Sequence, residues 1–284
     1  MLFEKYGLVD EKSRTVLQWY WEQSTLARKI EQALRLGWFL PIVIVGRSGF
    51  GKTSYAYYAL KTGIIEYLCT DAKPKRTNID DCVTYIEENH GELCMNRYCD
   101  EPDGLDKTYK WAFYTGITDL ERFMKDAPEL LAGDGSRRKI LLMDDLVTTT
   151  MYSMGGKWRR MYMMFKEVIR VARRGASVVI VTSVTPKLVP DILRQGGEFI
   201  SVRHVYKDNK WFFAYERLAK VSVPEKYGRY VRYVPVYQKL YADVVPFMAV
   251  FGLPRWLEGE IDERKKQLII DASRLALGGE DERR

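Results

Sequence analysis

The chain has 284 residues, 46% of them apolar and 29% charged. This composition excludes a disordered or fibrous protein and fits one large domain with appendages. No apolar run approaches the roughly 18 residues that a membrane span needs. The opening Met1-Leu2-Phe3-Glu4-Lys5 lacks the layout of a secretory signal, so a cytoplasmic location is expected. The 45 Lys and Arg against 38 Asp and Glu give a net charge of +7, a balance that favours polyanionic partners.

Taken in chain order, apolar positions at helical spacing predict a helix over residues 15–37. Phe39–Val45 reads as a short, buried, β-branched parallel strand, followed by a loop from Gly46 to Gly51 and a helix from Lys52 to about Tyr67. A polar stretch runs to about Asp106, with a short helix at Ile79–Glu88. Tyr109–Tyr114 is the second strand, and Thr118 with Glu121 forms a capping box for the helix after it. Lys139–Met143 is the third strand, Trp158–Arg173 a helix and Ser177–Thr182 the fourth strand. Lys187–Arg194 is a short helix and Glu198–Val205 the fifth strand. Alternation of this kind predicts a three-layer α/β fold, a parallel sheet with helices on both faces. Lys207-Asp208-Asn209 reads as the turn of a hairpin between Phe199–Tyr206 and Lys210–Arg217. A tyrosine-rich, proline-punctuated segment and a charged helix over roughly 260–276 follow. The expected organisation is a helical segment at 1–38, a core at 39–206 with an insertion at about 66–108, and an extension at 207–284.

All four cysteines, Cys69, Cys82, Cys94 and Cys99, lie in that insertion with His90. Their separations of 12, 11 and 4 residues match no paired zinc-knuckle spacing. Zinc binding and a disulfide are both open, and free cysteines are the favoured expectation.

The segment Gly46-Arg47-Ser48-Gly49-Phe50-Gly51-Lys52-Thr53, followed by Ser54, fits GxxxxGK[ST] between an apolar strand and a helix. Glycines let backbone N–H groups turn inward around a phosphate, and the helix start aims its positive dipole end at the same anion. Lys52 is suited to the β- and γ-oxygens, and the Thr53 hydroxyl to Mg²⁺. A second half of the site is expected at the tip of a buried strand. Ile140–Met143 ends in Asp144, a metal carboxylate, and Asp145, placed to orient and deprotonate water.

These residues resemble the additional-strand division of P-loop NTPases. Leu141–Leu146 and Ile180–Ser183 are similar to AAA+ ATPases of the IstB/DnaC type, and Leu188–Phe199 resembles the stretch that carries an arginine finger. The resemblance covers roughly residues 25–205. It implies the sheet order 5-1-4-3-2, ATP and Mg²⁺ as cofactors, hydrolysis, and work on DNA as a homo-oligomer. It also implies a sensor at Thr182 or Ser183 and a finger at Arg194. Val184 stands where that family has asparagine, and Gly197 where it has a second arginine. The same pieces resemble HerA/FtsK translocases and viral packaging ATPases, and the size and composition are similar to those of ATPases from archaeal plasmids and viruses. The alternative is a nucleotide-dependent switch in a protein complex without DNA.

Seven cations between Lys157 and Arg174 face one acid, Glu167, and Lys157, Trp158, Arg159 and Arg160 are the candidate DNA contacts. A solvated helix face explains them as well. The cluster from Tyr227 to Tyr241 reads as strand packing before nucleic-acid contact. Neither histidine has a catalytic partner legible in sequence.

Overall fold

The computed structural model describes residues 11–70, 78–90, 109–115, 138–145, 157–172, 175–184, 197–227 and 230–246, with isolated residues elsewhere. Helices α1 (Glu11–Gln23) and α2 (Thr25–Leu36) precede β1 (Leu40–Val45). After it come α3 (Lys52–Leu68), α4 (Ile79–His90), β2 (Tyr109–Thr115), β3 (Arg138–Asp144), α5 (Lys157–Ala172) and β4 (Ala176–Ser183). The strands β5 (Glu198–Lys207), β6 (Lys210–Tyr227) and β7 (Tyr230–Pro246) complete one sheet in the order β2-β3-β4-β1-β5-β6-β7.

The first five strands pair in parallel; read from β5, they run 5-1-4-3-2. Two further strands are added antiparallel, so the sheet is mixed, where a parallel one was expected. The β1→β2 and β3→β4 crossovers travel in opposite directions along the sheet. Right-handed connection therefore puts α3 and α5 on opposite faces. Burial agrees, since β4 is buried at every position and β1 from Pro41 onward.

Helix α3 is the centre of one layer. Tyr55, Tyr57, Tyr58 and Ile65 are buried all round it, the mark of a helix packed on several sides. Ile42, Ile44, Ile180 and Ile200 of the sheet belong to the same core cluster, as do Leu17 and Tyr20 of α1 and Ile30 of α2. Gly63 lets α2 approach: a Cβ there would stand 2.7 Å from Ile30 and 2.8 Å from the Ala27 carbonyl.

The single helix expected over 15–37 is two helices, broken at Ser24. Ser24 has extended backbone and accepts the Ala27 N–H through its side chain at 3.2 Å, an N-cap that helical periodicity does not reveal. The expected hairpin turn is present, with Asp208 and Asn209 both left-handed at φ 51° and 58°. Strand β6, however, runs ten residues past the predicted Arg217. Its pairing with β5 stops at Ile200–Arg217, so residues 218–227 pair only with 230–239 of β7. The result is a two-stranded ribbon about 33 Å long at ordinary strand rise. It leaves the sheet at a register shift between Arg217 and Leu218. That corner is fixed by Glu198, which accepts from Lys29 at 2.8 Å, Arg217 at 2.8 Å and Tyr241 at 3.1 Å.

Cys69 and Cys82 form a disulfide between the end of α3 and α4, with Cα atoms 5.6 Å apart. The favoured expectation of free cysteines is corrected for this pair, and both sulfurs are taken from any four-cysteine zinc site. Cys94 and Cys99 lie outside the described residues. No helix among the described residues is long and apolar enough to cross a membrane.

Candidate active site

The loop 46–51 leaves the C-terminal tip of β1 and enters α3, at the sheet edge where ligands of open α/β sheets bind. Gly49 and Gly51 have φ of 79° and 67°, a conformation that L side chains rarely adopt. Gly51 is the N-cap of α3 but offers no side-chain cap, and the first turn carries no acid. The first N–H groups of the helix are thus left for an anion. The Lys52 side chain, 5% exposed, lies back across the loop and donates to the Arg47 carbonyl at 3.3 Å.

Asp144, buried at the last position of β3, is where the site closes. Its Oδ1 accepts the Thr53 hydroxyl at 2.5 Å and the Thr182 hydroxyl at 2.6 Å. The Thr182 oxygen in turn accepts the Asp145 N–H at 3.0 Å. Parallel pairing brings these groups together: Met143 is in register with Val181, and Val45 with Ser183. Asp145 has φ 43°, a left-handed conformation that Asp tolerates and that clusters at functional sites. Ser183 is buried, and its carbonyl accepts the Gly46 N–H at 3.2 Å, tying the loop to β4.

Thr53 and Asp144 supply hard oxygen donors, the set Mg²⁺ takes when phosphate and water complete its shell. No group of three or more His, Cys, Asp or Glu that could hold a metal occurs among the described residues. A hydroxyl, one carboxylate and substrate phosphates need none.

The other expected residues are less gathered. Arg194 lies outside the described residues, as do the Thr118–Glu121 cap and most of the 187–194 helix. Lys157, Trp158 and Arg159 open α5, and Arg160 is exposed on it.

Three contributors escaped the sequence reading. His204 stacks on Phe50 of the loop, ring centres 4.0 Å apart. Tyr215 of β6 shares its one hydroxyl proton between the Phe50 and Gly51 carbonyls, at 3.2 and 3.1 Å. Asp243 of β7, buried, accepts from Ser24 Oγ at 2.9 Å, Tyr55 Oη at 2.8 Å, Thr25 N at 3.0 Å and Leu26 N at 3.2 Å. Only Asp243 left a signal, as a single acid inside the apolar run Ala242–Val245. A cavity of about 510 Å³ adjoins the loop, lined by Gly46, Arg47, Phe50, Phe199, His204 and Tyr237 among others.

No family model matches this chain, and no curated protein does. Among solved structures it is similar to a KaiC-like protein, PH0186, from the hyperthermophilic archaeon Pyrococcus horikoshii OT3. The identity is 12% over 72% of this chain and 89% of that one, with a TM-score of 0.33.

Proposed function

We propose that this protein binds Mg-ATP at residues 46–54 and hydrolyses it. The observation that carries the reading is the convergence of the Thr53 and Thr182 hydroxyls on Asp144 Oδ1, beside the uncapped start of α3. The loop N–H groups and Lys52 bind the β- and γ-phosphates, while Thr53 and Asp144 hold the metal. When bound, Mg²⁺ neutralises charge on the phosphate oxygens. Asp145 orients a water and takes its proton as the water oxygen attacks the γ-phosphorus. The bond from γ-phosphorus to the bridging oxygen breaks, and that oxygen leaves with ADP. Thr182 holds the Asp144 carboxylate and the Asp145 backbone, and Ser183 anchors the loop through its own backbone.

The finer part of the reading is that turnover drives work on DNA in a homo-oligomer, as in ATPases of the AAA+ type, with Arg194 reaching a neighbour's γ-phosphate. The basic start of α5 supports the DNA part: Lys157, Arg159 and Arg160 stand there with no acid in the first turn. The test is ATP turnover measured alone, with single-stranded DNA and with duplex DNA. Stimulation by either DNA supports the whole reading. Turnover indifferent to both leaves the hydrolase and favours the switch within a protein complex.

A further inference from the structure

The phosphate loop is held from behind by the antiparallel half of the sheet. Tyr215 sits on β6 directly across from Asp243 on β7. Its ring stacks on Tyr55 of α3, with centres 3.7 Å apart and planes 9° apart. Tyr55 is fixed by its own hydroxyl bond to Asp243, and Asp243 is fixed by the start of α2. The Tyr215 hydroxyl therefore reaches the loop from a rigid mount.

What that hydroxyl touches is specific. A planar peptide points its C=O and N–H in opposite directions. Holding the Phe50 carbonyl outward turns the Gly51 N–H inward. The Gly51 carbonyl, which also accepts the Tyr55 N–H at 2.9 Å as the first bond of α3, is held from two sides, and the Lys52 N–H with it. These are donors at the heart of a phosphate-binding loop. Burial pushes the Tyr215 phenol well above its ordinary range, so the O–H stays a donor through alkaline pH.

We propose that Tyr215 is a positioning residue for the phosphate loop: its hydroxyl holds the Phe50 and Gly51 carbonyls back, so that the Gly51 and Lys52 N–H groups face the anion. This rests on the reading of residues 46–53 as a phosphate loop. It also makes the β6–β7 pair, whose far end is the ribbon, the support on which that loop is aligned.

Tyr215→Phe tests it, because the ring and its stack on Tyr55 remain and only the hydroxyl goes. Calorimetry would measure the affinity of the wild type, Tyr215→Phe and Lys52→Ala for Mg-ATP and for inorganic tripolyphosphate. The variant should bind both ligands about tenfold more weakly, the worth of one hydrogen bond of roughly 1.4 kcal/mol. Amide exchange at Gly51 and Lys52 in the unliganded protein should also quicken. If Tyr215→Phe binds both ligands as the wild type does, whatever its melting temperature, Tyr215 is a core residue and the proposal is overturned alone. Should the wild type itself bind neither ligand, or Lys52→Ala bind both unimpaired, the phosphate-loop reading fails and this proposal fails with it.

Discussion

Thr182 and Asp144, on adjacent parallel strands, share a hydrogen bond of 2.6 Å, and the same threonine oxygen accepts the Asp145 N–H. One hydroxyl thus fixes the Asp144 carboxylate and the backbone of Asp145. Thr182→Val keeps the shape of the side chain but leaves the Asp145 N–H without this acceptor. The loss of about 1.5–3 kcal/mol corresponds to roughly 10- to 100-fold in ATP turnover. Thr182→Ser, which retains the hydroxyl, should stay near wild type. Loss in Thr182→Ser with Thr182→Val near wild type would mean that the methyl group, and not the hydroxyl, matters.

Lys52 and Asp145 should separate binding from chemistry. Lys52→Ala removes the cation proposed to face the γ-phosphate, and tight ATP binding should be lost. Asp145→Asn leaves Thr53 and Asp144 for the metal, so binding should persist while hydrolysis stops. Paired binding and single-turnover measurements check this, and normal hydrolysis by Asp145→Asn would remove it from the mechanism.

The cations at the start of α5 are the proposed DNA contacts. Replacing Lys157, Arg159 and Arg160 together should weaken DNA binding and reduce its salt dependence by up to about three units of slope. An unaltered slope in a titration across salt concentrations places the contact elsewhere.

The Cys69–Cys82 disulfide closes a short loop and ties α4 to the end of α3. Replacing both cysteines with serine should cost about 2–3 kcal/mol of stability. Thermal unfolding with and without reductant reads this directly. Reductant should lower the melting temperature of the wild type and leave that of the double variant where it was.

Glu66 supplies a pH dependence of its own. Burial, with the neighbouring charge of Glu31 and against that of Arg28, pushes its carboxyl up to about 7. The folded state then holds a proton that the unfolded chain has released. The associated stability is full below about pH 4.5 and is lost as pH rises through about 7. Glu66→Gln should flatten stability over that window and raise it above pH 7. Denaturant midpoints measured at pH 5 and pH 8 in both proteins provide the comparison.

What could be read along the chain was what local chemistry specifies. The apolar run before Gly46, the glycines ahead of Lys52, the acids closing the Ile140–Met143 run and the Asp208-Asn209 turn all act within a few residues. Their backbone preferences and periodicity therefore survive in the bare sequence. The break at Ser24 was hidden because its decisive partner, Asp243, is 219 residues away. The reach of β6 was hidden because an edge strand and one side of a paired ribbon have the same alternation. Tertiary structure alone decided which hydroxyls meet Asp144, since Thr53 lies 91 residues from it and Thr182 lies 38. It also decided that Tyr215, 165 residues past Phe50, backs the loop between β1 and α3. Such pairings follow from the order and register of strands in the sheet, which arise when distant segments bury their apolar faces together and which no local preference encodes.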